Sequence, residues 1–195
     1  MPYGLRPVHG SIGLPGPREY PIADGFTTSN IFSGDFVEML ATGFVKRLGD
    51  ATGASPTGAT TLATLGVAWG FRWVDANGVS QFGQYLPANA GNTKTFVTVY
   101  DDPNQIFLIQ SNGNTTFADV GDNAPVTNFG TANASTATGN SGIALNHGSI
   151  AQTALALRIL GIRQDGTNEF LTANKDVFVR ILPGAHQAAL VDQIP

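Results

Sequence analysis

The sequence predicts an all-β protein, a single antiparallel β-barrel or sandwich domain, and three observations carry that prediction. The first is the stretch 96–110, FVTVYDDPNQIFLIQ. Phe96, Thr98 and Tyr100 alternate with Val97 and Val99, the two-residue period of a strand whose faces differ. Asp101-Asp102-Pro103-Asn104 interrupts it, because proline donates no ladder hydrogen bond and its fixed φ suits a turn. The alternation resumes over 105–110, and neither flank has the length of a globular helix. The second observation is 65–74, LGVAWGFRWV, where Val67, Trp69, Phe71 and Trp73 are expected on one face and Ala68, Gly70 and Arg72 on the other. The third is composition: 24 glycines, with Thr, Ala and Asn filling the place of charge, make a chain of polar strands, turns and long Gly/Thr/Asn-rich loops.

Residues 1–34 read as an extended N-terminal arm and residues 35–195 as the β domain. Pro2, Pro7, Pro15, Pro17 and Pro21, with glycines between them, prevent regular helix and interrupt any long strand. Tyr3, Leu5, Val8, Ile12, Leu14, Tyr20, Ile22, Phe26, Ile31 and Phe32 are spaced through the same segment, and a disordered tail rarely carries so many large apolar groups. An ordered arm lying along a surface, its own or a neighbour's, accounts for both features. Strands are then expected at 35–40 and 43–48, and a surface loop at 49–61. Asp75-Ala76-Asn77-Gly78 marks a hairpin that returns through 79–82. Tyr85-Leu86-Pro87 and 88–93 read as a loop into the central strands. Ser111-Asn112-Gly113-Asn114 is a turn, 119–126 a structured loop and 131–142 a dilute surface run. The last strands are expected at 153–162 and 177–182, around an excursion at 164–173, with one short helical turn in the tail 185–195.

Charged residues make up only 12% of the chain, about half the usual share. A surface so poor in Lys and Glu carries little protection against association, which favours a protein that works inside an assembly. The formal charge of −4 and the absence of a basic run supply no phosphate-tracking surface, so no nucleic-acid partner is expected. No stretch approaches the roughly eighteen apolar residues of a membrane span, and MPYGLRPVHGSIGLPG lacks the apolar run of a secretory signal. No membrane partner is expected either. With no cysteine, thiolate chemistry and disulfide stapling are excluded.

Motifs that carry chemistry are sparse. His9, His147 and His186 sit in separate Gly- or Ala-rich contexts without ligand-like spacing. Asp101-Asp102 with Asp119 and Asp122 is the one acidic set that could hold Ca²⁺ or act as an acid–base pair, although turn capping explains each aspartate more simply. Trp69 and Trp73 would form a sugar platform if exposed, but a face shared with Val67 and Phe71 assigns them to the core. No phosphate-binding glycine motif, GxSxG elbow or zinc-protease helix occurs. The expectation is a non-enzyme with no catalytic residue, cofactor or metal.

The motifs MPYGLRPVHG at the start, GVAWGFRWVDANG at 66–78, VYDDPNQIFLIQSNG at 99–113 and DVG at 119–121 resemble those of tailed-phage (cyanophage-like) capsid cement or decoration proteins. LRILGI at 157–162 and DVFVRI at 176–181 fit the same family. The resemblance implies a structural virion protein on the outer capsid surface that binds and stabilises the lattice. Its implied partners are the major capsid protein and itself, as a homotrimer. On that reading Tyr3, Leu5, Arg6, Val8 and His9 are the expected contacts with the capsid or a neighbouring copy. Arg6 would satisfy carbonyls or carboxylates at a rim, and Tyr3, Leu5 and Val8 would supply desolvated area. The competing expectation is that the arm covers an edge of its own β domain. A carbohydrate-binding β module on the virion surface is the alternative function, and convergence of the four aspartates would indicate an enzyme.

Overall fold

The computed structural model describes residues 2–8, 16–26, 29–48, 64–128, 133–166, 168 and 173–183. In chain order the strands are β1 (Arg6–Pro7), β2 (Arg18–Ile22), β3 (Ile31–Phe32), β4 (Phe36–Met39), β5 (Val45–Arg47), β6 (Gly66–Val74), β7 (Ser80–Gly83) and β8 (Tyr85–Leu86). There follow β9 (Thr93–Tyr100), β10 (Ile106–Gln110), β11 (Asn123–Ala124), β12 (Val126–Thr127), β13 (Ala144–Leu145), β14 (Leu157–Ile162) and β15 (Asp176–Ile181). The protein is an all-β domain of several antiparallel sheets. A five-stranded sheet has the order β1-β10-β15-β14-β11, and a six-stranded sheet runs β2-β9-β6-β4-β5 with β7 added beside β6. Two small sheets, β12-β13 and β3-β8, complete the pairing. Among the described residues no sheet closes into a barrel, which removes that half of the expectation.

Alternation decides which sheet covers which face. In the five-stranded sheet Phe107, Ile109, Val177, Val179, Leu157 and Ile159 point one way and are buried. They share a core with Phe36, Leu48 and Val67, and Tyr100 packs against it. Phe36, Val67 and Tyr100 lie directly opposite one another across β4, β6 and β9, so one end of this face of the six-stranded sheet is covered by the five-stranded one. The reverse face carries Val37, Ala68, Phe71, Val97 and Val99, which form a second core with Ile22, Ile31, Val45 and Leu86. The six-stranded sheet therefore buries apolar groups on both faces, each under a different layer, and leaves one end of the first face open.

A β-bulge makes this possible. Pairing of β6 with β9 shifts between Ala68 and Gly70, leaving Trp69 as the extra residue. One inserted residue exchanges the two faces of everything that follows it. Val67 thus enters the first core, while Phe71 and Trp73, also odd-numbered, point to the second. The expectation that Val67, Trp69, Phe71 and Trp73 share one face is corrected by this bulge. Trp69 meets Tyr100 edge-on with ring centroids 6.4 Å apart.

Other differences are local. Tyr85 and Leu86, expected in a loop, pair with Phe32 and Ile31 as β8, and the Phe32 and Tyr85 rings stack with centroids 5.5 Å apart. The strand expected from 153 begins only at Leu157. The 75–78 hairpin forms: Gly78 N–H donates to the Asp75 carbonyl, and Gly78 takes φ 78°. The expected loop 49–61 and tail 185–195 lie outside the described residues.

Candidate functional site

The first candidate surface is the stretch Tyr3-Gly4-Leu5-Arg6-Pro7-Val8, in which Gly4, Leu5 and Pro7 are buried and Arg6 is exposed. Gly4 sits at φ +73°, and a Cβ there would fall 2.6 Å from Ser141 Cβ and 2.9 Å from Gly34 Cα, so only glycine fits. That close approach lets Leu5 N–H donate to the Gly34 carbonyl at 3.2 Å. Leu5 is fully buried in the first core. Arg6 and Pro7 pair with Leu108 and Phe107 as the edge strand β1, and Val8 N–H donates to Ile106 O at 2.9 Å. The side chain of Leu5 therefore spends its area inside its own subunit, leaving Arg6 and the outer parts of Tyr3 and Val8 facing solvent. His9 lies outside the described residues. Farther along the same segment, β2 pairs with β9 and β3 with β8, so the described parts of 1–34 are laid along the sheets by hydrogen bonds.

Tyr3 Oη donates to Asp176 Oδ1 at 2.6 Å, and the Arg6 guanidinium lies 4.1 Å from the centre of the Tyr3 ring. Burial, and then the bond to Asp176, pushes the Tyr3 hydroxyl far above its ordinary pKa. Asp176 also takes a 3.3 Å contact from Arg163, whose Nε reaches Asp165 at 2.8 Å. Asn168 fastens the end of this cluster: its side-chain amide donates to the Arg163 and Asp176 carbonyls, and its Oδ1 accepts from Asp176 N–H.

Beside that cluster lies the outer face of the five-stranded sheet. Two rows of directly opposed residues cross it, Ile106–Arg180–Arg158–Asn123 and Arg6–Leu108–Phe178–Gly161. Phe178, Leu108 and Ile106 are half-buried, and Leu160 next to them is 38% exposed. Sequence reasoning passed over Arg158 and Arg180. Alternation in LRILGI and DVFVRI does put each arginine on the polar side of its strand, but their register opposite one another is a tertiary fact.

The second candidate surface is the uncovered end of the six-stranded sheet. Phe82, Arg72, Phe96 and Pro21 form one row across β7, β6, β9 and β2. Arg72 stacks 3.9 Å above the Phe96 ring and donates through Nε and Nη2 to both oxygens of Glu19, at 2.8 and 3.0 Å. Those bonds hold the Glu19 carboxyl below its ordinary pKa. Phe82 is 77% exposed. A shallow depression of about 490 Å³, lined by Glu19, Gly70, Arg72, Phe82, Gln84 and Thr98 among others, opens here. Phe82 was not among the expected site residues, although SQFG already places it opposite Gln81 on the strand. Trp69 and Trp73, expected in the core, are both half-buried, and Trp73 packs against the second core.

Asp101, Asp102 and Asp119 each hold a different local partner. Asp101 accepts from Tyr20 Oη and lies 3.4 Å from Arg18 Nη1, and Asp102 Oδ1 accepts from Asn104 N–H at 2.7 Å. Asp119 caps the 3₁₀ turn Phe117–Asp119 by accepting from Thr116 N–H and Oγ1, with His147 Nε2 at 4.0 Å. Among the described residues no group of three or more His, Asp or Glu is placed to share a metal ion.

No protein family, no curated protein and no solved structure matches the chain.

Proposed function

We propose that this chain is a structural component of a tailed-phage virion, a cement or decoration protein that binds the outer face of the icosahedral capsid lattice and stabilises it. The observation that carries the reading is the pairing of sparse charge with exposed apolar side chains. Phe82, Phe117 and Val79 are 77%, 66% and 53% exposed on a surface whose chain is only 12% charged. Large apolar groups at solvent gain free energy when an assembly covers them, about 25 cal/mol for each Å² buried. Within the first motif that resembles the cement family, MPYGLRPVHG, Arg6 and Pro7 form the edge strand of the five-stranded sheet, and Arg6 faces outward. In this role the five- and six-stranded sheets are the two layers of a sandwich, with the described parts of residues 1–34 as the arm fastened over it. The partners are the major capsid protein and further copies of the chain, as a homotrimer, and the location is the outer surface of the virion. Weak contacts repeated at every lattice position add up to a stiffer shell.

Quantitative mass spectrometry of purified virions tests the reading. A copy number on the scale of the capsid lattice is expected. A number on the scale of the neck or tail would move the protein to those structures, and absence from the particle would overturn the proposal.

A further inference from the structure

We infer that the outer face of the five-stranded sheet is a docking surface for a carboxylate-bearing strand or loop of a partner protein, read by Arg158, Arg180 and Arg6. The inference rests on the assembly role proposed above and names the face and the chemistry through which it works. Arg158 and Arg180 lie directly opposite each other on β14 and β15. Directly opposed like charges destabilise a sheet, so an isolated subunit gains nothing from this arrangement. No carboxylate among the described residues pairs with either of them or with Arg6, and the buried Nε of Arg180 has no hydrogen-bond partner. Asp176, on the same outer face, is already held by Tyr3 and Arg163. The chain has only 10 basic residues and an overall charge of −4, so three arginines on one sheet face without a carboxylate partner among the described residues are not a by-product of a basic composition.

The chemistry selects the occupant. Guanidinium groups bind carboxylates through two parallel hydrogen bonds, and arginine is the cation best suited to an interface because it is weakly hydrated. Phe178, Leu108 and Ile106 lie half-buried between the arginines, which gives the apolar centre and charged surround typical of a protein–protein contact. Nucleic acid is disfavoured, because apolar rows interrupt the cations and the net charge of the chain would repel it. A two-fold contact of the face with itself would set arginine against arginine, so the partner is not the same face of another copy. Five strands at about 4.8 Å and five residues at about 3.4 Å make a face of roughly 400 Å², against about 800 Å² per partner in a standard interface. The face is therefore the centre of a wider contact, or one of many weak ones.

Arg158→Glu separates this role from a structural one. It turns the opposed like charges into an ion pair, so the melting temperature should hold or rise while binding falls. Three probes are used: poly-L-glutamate, double-stranded DNA and purified empty capsids. Wild-type protein is expected to bind poly-L-glutamate more tightly than DNA and to weaken about tenfold or more between about 0.05 M and about 0.5 M salt. Arg158→Glu should lose tenfold or more on poly-L-glutamate and on capsids, and Lys94→Gln, which removes an exposed cation from β9 of the other sheet, should lose nothing on poly-L-glutamate. Unchanged binding of Arg158→Glu to both poly-L-glutamate and capsids overturns the inference and leaves the capsid role standing. Tighter binding to DNA than to poly-L-glutamate overturns it in favour of a nucleic-acid surface, and a lowered melting temperature makes Arg158 structural. Failure to bind capsids, combined with Arg158-dependent binding to poly-L-glutamate, sinks the capsid role and keeps the docking face.

Discussion

Leu5 and Arg6 are neighbours with opposite fates, the first fully buried and the second exposed. The spacing of apolar residues through the first segment was legible in the sequence. Which of them would turn inward was not, because that depends on Gly4 meeting Gly34 and Ser141 from distant parts of the chain. Phe71 was legible as a core residue, and at 4% exposure its replacement by alanine is expected to cost about 3–5 kcal/mol in chemical denaturation. Trp73→Ala should cost less, because Trp73 is only half-buried. Equal losses would show that the packing is misjudged. Tyr3 gives the pH dependence. Its hydroxyl titrates far above its unfolded value near 10, so between those two values the unfolded chain gives up a proton that the folded one keeps. The stability it contributes is complete below pH ~10 and is lost as pH rises beyond it. Urea denaturation at about pH 8 and about pH 11 should show a smaller alkaline loss for Tyr3→Phe than for wild type, together with a baseline cost of about 1 kcal/mol for the missing hydrogen bond. Identical alkaline losses would refute the role of Tyr3, because Tyr20 and Tyr100, which are also raised, remain in the variant.

At the scale of elements, alternation marked β4, β5, β6, β7, β9, β10, β14 and β15 near their true positions, since each has an apolar side and a polar side. It missed β2, where Pro21 lies inside the strand. That is tolerated because β2 pairs only with β9 and forms an edge of its sheet. It also missed the consequence of the Trp69 bulge, because only the partner strand reveals that a residue is unpaired. The two glycines of β6 test that geometry. A Cβ on Gly66 would lie 2.2 Å from the Tyr100 carbonyl oxygen, and backbone cannot step aside, whereas a Cβ on Gly70 meets nothing within 4 Å. Gly66→Ala is expected to cost about 3 kcal/mol or more and Gly70→Ala to stay within about 0.5 kcal/mol. Comparable effects in thermal melts would mean that β6 and β9 do not approach as described. The N-terminal segment gives a second test. Removing residues 2–8 takes away Leu5 and the edge strand β1. Loss of a buried leucine costs about 2–5 kcal/mol, and each kcal/mol moves the melting temperature by roughly 2–4 °C at this size. A fall of about 10 °C or more in the isolated protein is expected. An unchanged melting temperature would show that the segment is stabilised by a partner instead of its own sheet.

At the scale of the whole molecule, the all-β class was legible but the layering was not. Which sheet covers which face depends on pairings such as β2 with β9, made between residues about eighty positions apart, and no local pattern encodes them. The same limit applies to the outer faces: composition pointed to association without locating it. Phe117 lies on the capped turn Phe117–Asp119 and is 66% exposed, and Val120 and Leu160 are each 38% exposed. Gly121 N–H donates to the Ile159 carbonyl, which fastens this turn against β14 and brings Val120 and Leu160 onto neighbouring backbone. Self-association through this end would bury apolar groups without opposing Arg158 to Arg180. A homotrimer is expected in sedimentation at micromolar concentration, and salt should strengthen it or leave it unchanged, since the contact is apolar. Phe117→Ser removes the largest exposed group there. It should change stability by less than about 0.5 kcal/mol while shifting the species toward monomer. A wild-type protein that stays monomeric at every concentration would remove free self-association, and a trimer indifferent to Phe117→Ser would place the contact elsewhere on the molecule.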